Sequence, residues 1–145
     1  MTVRFLLDTS TISEPMKKVP DAVVVAKIEA HAHESALAAP VWHELQYGCR
    51  LLPVGKRRAA LETYLREVVY ASFSILPYDA AAAAWHAEER ARLDVAGTPM
   101  PFVDGQIAAI AKRHGLIVVT ANVRDFQRFH GVEIETWSTR KRKQP

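Results

Sequence analysis

The sequence contains little cysteine and no long apolar run, and both shortages exclude classes of protein. Cys49 is the only cysteine among 145 residues, so no disulfide can form within the chain, which fits the reducing cytoplasm. No apolar run approaches the roughly 20 residues that a membrane helix needs. The first eight residues are too short for a signal peptide and end in an acid. We therefore expect a cytoplasmic protein that does not insert into membranes.

The sequence also lacks internal repeats, linkers and a second composition, so its length predicts one domain. Hydrophobic residues make up 49% of the chain, which is enough for a core. Of the formal net charge of +3, the last residues carry the basic excess, in Arg140, Lys141, Arg142 and Lys143. We predict a domain over residues 1–137 and a basic tail over residues 138–145. The tail either meets a polyanion or is a solvated terminus.

Zinc-type ligands are scarce as well. His31 and His33 are two positions apart, so they do not share a helix face, and nothing nearby completes a tetrahedral set. We interpret this segment as an exposed loop.

Short apolar runs, rich in β-branched residues, alternate with helical patterns along the chain. The runs predict strands at residues 3–7, 35–39, 73–76, 116–120 and 132–134. Such alternation is typical of an α/β fold, with a central parallel sheet and helices on both faces. We therefore predict an α/β/α sandwich with four to five strands.

The residues from 99 to 129 organise this pattern. A helix is predicted from Phe102 or the next residue to His114, where Gly115 ends it, and it places Asp104 in its first turn. Elsewhere Asp21 and Asp79 can begin helices. Thr9 or Ser10 is expected to cap a short helix after the first strand.

Polar side chains follow the predicted strands at the edge where open parallel sheets place their chemistry. Asp8 follows the first strand, and Asn122 and Asp125 follow the fourth. Asp104 can reach the same edge from its helix start. Because like charges in contact repel strongly, such acids would need to be protonated or to hold a cation. Oxygen ligands without histidine or cysteine favour Mg²⁺ or Mn²⁺.

Glu44 completes this predicted group of acids. It borders an apolar helical stripe that includes Val41 and Leu45, so it faces the packed side, where an unpaired carboxylate is costly. It is either an ion-pair partner of a residue such as Arg50 or a metal ligand. The alternative for all the acids is that each is a cap or a surface residue and that they never meet.

At these residues the chain resembles PIN-domain ribonucleases of the VapC toxin type. The motifs are LLDTS with Asp8, APVWHELQYG with Glu44, PFVDGQIAAIA with Asp104 and VVTANVRDF with Asn122 and Asp125. The resemblance covers nearly the whole chain. It implies a PIN-like α/β/α fold and metal-dependent endonucleolytic cleavage of RNA. It further implies a homodimer and neutralisation by a cognate VapB-like antitoxin.

The resemblance also assigns roles to individual residues. Asp8, Glu44 and Asp104 match the three core acids, which are expected to bind Mg²⁺ or Mn²⁺ and to act in catalysis. Asn122 stands where many members have an aspartate, and Asp125 could substitute for it, directly or through water. Thr9 and Thr120 match positions that support the site or contact phosphate. They are the remaining candidates.

Three other classes of function can be compared with a ribonuclease by the residues that they need. A receiver-like signalling domain needs adjacent acids and a late lysine, which the sequence does not supply. A haloacid-dehalogenase-like phosphatase needs an acid two residues after its nucleophile, where this chain has Ser10. A catalytically inactive PIN-like module that binds RNA or a partner stays open as the alternative function.

Overall fold

A computed structural model describes residues 2–140 of the chain. Of the basic tail predicted at residues 138–145, the part from 141 to 145 lies outside the described residues. Across residues 2–140 the chain forms five β-strands and seven α-helices, with short 3-10 turns between some of them. No helix in this range combines the length and the apolar character needed to cross a membrane.

The strands form one parallel sheet. They are β1 (Phe5–Leu7), β2 (Ser35–Ala38), β3 (Ser74–Leu76), β4 (Ile117–Val119) and β5 (Glu133–Glu135). Their order is β3-β2-β1-β4-β5, and every neighbouring pair is parallel. The predicted α/β fold is therefore confirmed. Strand order changes direction between β1 and β4, which is where sheets of this kind leave a crevice for ligands.

The helices connect these strands. They are α1 (Thr9–Ile12), α2 (Ala22–His31), α3 (Ala39–Leu51), α4 (Lys56–Tyr64), α5 (Ala80–Val95), α6 (Phe102–His114) and α7 (Val123–Phe126). The bounds of α6 agree with the sequence prediction. After α4 the chain continues as a π-helical segment, Leu65–Tyr70.

The cap at the end of α6 explains why β4 begins later than the sequence predicts. Gly115 has a φ of 66° and ends α6, and the Leu116 amide then donates to the Ala111 carbonyl at 2.9 Å. Leu116 therefore belongs to the helix cap, which shortens β4 relative to the predicted run of residues 116–120. Asp21 and Asp79 cap α2 and α5 as predicted.

The predicted cap of α1 is wrong. Asp8, rather than Thr9 or Ser10, accepts the amide of Thr11 at 3.0 Å. The reason is that Asp8 still has the extended backbone of β1, with φ −80° and ψ 176°, so it is the last residue before the helical turn.

The core lies on both faces of the central strands. Leu6 of β1, Leu37 of β2 and Val118 of β4 have no exposed surface. Residues 107–111 of α6 are all buried, and three of them are alanines. These small side chains let α6 pack closely against the sheet on one side and α5 on the other.

Residues 137–140 pack against elements from the first part of the chain. Trp137 is buried and its ring lies 5.3 Å from Phe5 and 5.4 Å from His31, measured between centroids. Arg140 pairs with the buried Glu14 at 3.2 Å. His31 is thus the last residue of α2 and part of an aromatic cluster, so its prediction as an exposed loop residue is wrong. The signal that could have placed it was the distant Trp137.

Two glycines offer a test of this backbone geometry. Gly115→Ala is expected to lower the free energy of unfolding by about 1–2 kcal/mol, because a Cβ is strained in the left-handed conformation. Gly48→Ala is the matched control. It lies within α3, and an added Cβ would have no atom within 4 Å. Chemical denaturation should show Gly48→Ala gaining up to about 1 kcal/mol. A neutral or stabilising Gly115→Ala would contradict the assigned cap.

Candidate functional site

Residues at the carboxyl edge of the sheet line an open pocket of about 530 Å³. Asp8 follows β1, Glu44 lies in α3 and Asp104 lies in the first turn of α6. The pocket is lined by Asp8, Thr9, Ser10, Glu44, Pro101, Phe102, Val103, Asp104, Ile107 and Asn122. Residues far apart in the chain therefore contribute acids to one place.

Asp8 is the most buried acid of the pocket, with 5% of its surface exposed. One carboxylate oxygen accepts the Ser10 hydroxyl at 2.6 Å and the other accepts the Thr120 hydroxyl at 2.5 Å. Burial raises the pKa of Asp8, and these hydrogen bonds oppose the rise because they stabilise the charged form. The carboxylate is held in one orientation.

The same two hydroxyls connect β1 to the loop after β4. The Ser10 hydroxyl accepts the Ala121 amide at 3.2 Å, and the Thr120 hydroxyl accepts the Asn122 amide at 2.9 Å. Each hydroxyl thus accepts from the loop and donates to Asp8. Ser10 is the residue that the sequence analysis missed as part of the site, and its only signal was its place two residues after Asp8.

Glu44 is half-buried and accepts the Thr9 hydroxyl at 3.0 Å. The proposed alternative, an ion pair with Arg50, does not form among residues 2–140. Thr9 therefore donates a hydrogen bond to Glu44, which agrees with its expected role of supporting the site.

Asp104 is surrounded by negative charge. Its pKa is raised from 3.8 to about 6. Burial is the main cause, followed by the charges of Asp8, Asp125 and Glu44. The charges of three other acids therefore reach Asp104, although Asp8 is also the cap of α1.

Asn122 and Asp125 follow β4, and only Asn122 is among the residues that line the pocket. Asn122 lines the pocket just before α7. Asp125 lies in α7 and contributes to the site through its charge, which helps to raise the pKa of Asp104.

The donor set can be compared with the needs of a cation. As the side chains stand in residues 2–140, no three His, Cys, Asp or Glu side chains are grouped closely enough to hold a metal ion by themselves. The predicted three-acid set lines one pocket without closing into a cage. Magnesium ordinarily takes one or two protein carboxylates and keeps several waters, so acids around a pocket of this size fit such an ion. A divalent cation would relieve the repulsion that, after burial, contributes to the raised pKa of Asp104.

The first turn of α6 is set by a close contact with α5. An added Cβ at Gly105 would lie 2.1 Å from Nε2 of His86, so only glycine fits there. His86 is 3% exposed and its Nδ1 lies 2.7 Å from the Tyr78 hydroxyl, which fixes the ring. Because Gly105 follows Asp104 directly, this contact fixes the position of the acid as well.

A second contact fixes the loop that follows α7. The buried Glu89 accepts two hydrogen bonds from Arg92, at 2.8 and 2.9 Å, and one from the His130 amide at 2.7 Å. Arg92 also donates to the Arg128 carbonyl at 2.7 Å. The guanidinium of Arg92 lowers the pKa of Glu89. α7, with Asn122 before it and Asp125 within it, is therefore anchored to α5.

Comparison with known families gives an independent observation. The family model described as PIN domain matches residues 5–132. The chain is 37% identical over 124 residues to Toxin FitB of Neisseria gonorrhoeae, covering 83% of this chain and 89% of that one. It is 32% identical over 137 residues to the tRNA(fMet)-specific endonuclease VapC of Shigella flexneri, covering 94% of this chain and 99% of that one.

Solved structures agree. The DNA-bound VapBC of Salmonella typhimurium is similar with a TM-score of 0.81 and 31% identity, covering 94% of this chain and 100% of that one. A structure from Mycobacterium tuberculosis, VapBC-5, is described as a member of the VapBC family of toxin-antitoxin systems. It is similar with a TM-score of 0.67 and 26% identity, covering 92% of this chain and 97% of that one.

The contact between His86 and Gly105 can be tested by a double-mutant cycle. Gly105→Ala is expected to lower the free energy of unfolding by about 1–3 kcal/mol, because the fixed imidazole leaves no room for the new methyl group. In a His86→Ala background the same change should be neutral or stabilising, since alanine favours a helix by about 1 kcal/mol over glycine. Urea denaturation of the four proteins gives the coupling. Equal costs in both backgrounds would show that the ring is not the obstacle.

The raised pKa of Asp104 predicts a pH-dependent stability in the metal-free protein. The folded state binds the proton of Asp104 more tightly than the unfolded chain does. The resulting contribution to the free energy of unfolding is complete below about pH 4 and is lost as the pH rises through 6. The Asp104→Asn variant has no carboxyl group at this position, so its stability does not fall in this way as the pH rises. In EDTA the variant should therefore gain about 1–2 kcal/mol relative to wild type between pH 4 and 7, a value reduced for solvent screening.

Denaturation midpoints at several pH values measure this difference. Glu88→Gln is the matched control, since it removes an exposed carboxylate outside the pocket and should show little pH dependence relative to wild type. A difference for Asp104→Asn that stays constant from pH 4 to 7 would contradict the assigned cause.

Proposed function

The chain belongs to the PIN-domain family, as a toxin of the VapC type, and from that premise we propose that its acidic pocket cleaves RNA with a bound Mg²⁺ or Mn²⁺ ion. The single observation that carries the proposal is the group of acids around one pocket, where burial and the charges of the neighbouring acids raise the pKa of Asp104 to about 6. Such a site is costly to maintain and gains stability from a divalent cation.

We assign the cation to Asp8 and Asp104, with Glu44 binding directly or through water. When bound, the ion would lower the pKa of a water that attacks the phosphodiester and would offset charge at phosphorus. The protein's own contribution is orientation. Ser10 and Thr120 fix the carboxylate of Asp8, and Thr9 fixes that of Glu44.

Asn122 and Asp125 have distinct proposed roles. The amide of Asn122, at the pocket wall, is suited to hydrogen bonding with a phosphate or a bound water. The charge of Asp125, from α7, makes the pocket more attractive to a cation. Asn122 is proposed as secondary to the three acids above because an amide binds a divalent ion less strongly than a carboxylate does. Asp125 is proposed as secondary because it is not among the residues that line the pocket.

The pocket supplies carboxylates rather than an imidazole base. No histidine is among the residues that line it within the described part of the chain. Proton transfer during attack is therefore assigned to carboxylate and water. From the resemblance to PIN-domain ribonucleases we propose that this hydrolysis leaves 5′-phosphate and 3′-hydroxyl ends.

The proposed partners follow from the family. The similar structures are VapBC complexes, one described as belonging to a family of toxin-antitoxin systems, so we propose a VapB-like antitoxin for this chain. We also propose a homodimer. Exposed apolar side chains on α3, the loop before α4 and the π-helical segment offer a surface for it: Tyr47, Leu51, Val54, Val68 and Tyr70.

A nuclease assay tests the activity. The purified protein with Mg²⁺ or Mn²⁺ should cleave RNA, and total RNA that includes tRNA(fMet) is a suitable first substrate because the Shigella flexneri relative is named for it. EDTA should abolish cleavage. Asp8→Asn and Asp104→Asn should each reduce the rate by at least about 100-fold, since metal sites lose 10–100-fold even when only an outer partner is removed. Both variants are expected to stay folded.

Glu88→Gln serves as the matched charge control and should cleave like wild type. Sequencing of the RNA ends identifies the reaction, and 2′,3′-cyclic phosphates would contradict the hydrolytic scheme. RNA that is bound but never cleaved, with or without the metal, would instead favour the inactive binding module.

A further inference from the structure

Phe102 is an aromatic residue at the wall of the acidic pocket with much of its surface uncovered. It is the first residue of α6, two positions before Asp104, and 48% of its surface is exposed. The neighbouring Val103 packs against the core, so the helix is already anchored there without Phe102. The exposed part of the ring is therefore available to contact a ligand.

The ring is nevertheless held in place. The His86 imidazole lies 5.0 Å from it between centroids, at an interplanar angle of 49°. The guanidinium of Arg90 lies over the ring at 5.1 Å from its centroid. His86 is fixed in turn by Tyr78. An aromatic side chain fixed in this way loses little conformational freedom when a ligand stacks on it.

A nucleic acid supplies the matching ligand. Every base has a π-face that stacks on aromatic side chains, and single strands and loops present such faces because their bases are not stacked on both sides. Arg90 adds a cation beside the ring, which suits the phosphates that flank a stacked base. The carboxylates of the pocket, of which Asp104 is two positions away, repel the phosphates of RNA. The positive charge of Arg90 and the uncharged ring of Phe102 both favour the approach of RNA.

We propose that Phe102, supported by His86 and Arg90, is the stacking platform for one base of single-stranded RNA next to the phosphodiester that is cleaved. This inference rests on the proposed ribonuclease function and adds a substrate-binding residue to it. It predicts that unpaired RNA is preferred over duplex at the cleavage site.

The test combines protein variants with substrates that lack a base. The probe is a short, fluorescently labelled single-stranded RNA that the wild-type protein cleaves at one mapped site. A series of abasic versions removes the bases near that site one at a time. Binding is measured in Ca²⁺ and single-turnover cleavage in Mg²⁺, for wild type, Phe102→Ala, Phe102→Leu and Phe102→Trp.

At one position, loss of the base should weaken wild-type binding by about 5- to 150-fold. Phe102→Ala should weaken binding of the intact RNA by a similar factor and should be insensitive to the abasic change at that position. Phe102→Trp should retain wild-type behaviour. Phe102→Leu keeps apolar bulk for folding but lacks a flat ring, so it should resemble Phe102→Ala.

Val95→Ala is the matched control, since it shortens another exposed apolar side chain, one that lies at the end of α5, outside both the pocket and the proposed dimer surface. It should leave the abasic profile unchanged. The stacking role would be overturned if the wild-type protein cleaves RNA but the effect of Phe102→Ala on binding simply adds to the effect of every abasic substitution. That result would leave the ribonuclease function intact. A wild-type protein that cleaves no RNA would overturn both.

Discussion

Mutual repulsion among carboxylates is the constraint on which the rest of this structure depends. Acids from β1, α3 and α6 line one pocket, and each must be held there against the others. The hydroxyls of Ser10 and Thr120 hold Asp8 by donating to its two oxygens. Because these hydroxyls also accept amides of the loop after β4, they attach that loop to β1. The same contacts that orient an acid also join the central pair of strands at the edge where chemistry is proposed.

Packing between helices supplies the second half of the arrangement. The small residues of α6 allow a close approach to α5, and Gly105 is the point where that approach is tightest, against His86. A helix that comes this close to its neighbour cannot rotate without a clash, so the acid next to Gly105 keeps its place. The network of Glu89 and Arg92 does the same for α7. α5 thus positions two walls of the pocket without contributing a reactive group to it.

Much of the fold could be predicted from sequence, because buried parallel strands are nearly continuous apolar runs and their polar endings mark one edge of the sheet. This logic predicts Asp8 at the end of β1, whereas Asp104 is predicted from the start of α6. The role of Ser10 was not predicted, because it depends on the Ala121 amide, which is 111 positions away. His31 was misplaced for a similar reason, since its environment is made by Trp137. Local pattern predicts elements and their ends, whereas contacts between distant residues decide what those ends touch.

The balance between charge and burial also connects the stability of the pocket to its proposed ligand. In the metal-free protein Asp104 holds its proton up to about pH 6, so a cation that binds below that pH must displace the proton. Above it, the cation meets an ionised group whose repulsion it relieves, and binding then stabilises the fold. The exposed ring of Phe102 beside these charges is a feature of the same kind, since it too is unfavourable until a ligand covers it. Both features are costs that a metal-bound RNA would remove together, which is why a site of this composition is better explained by its ligands than by the stability of the protein alone.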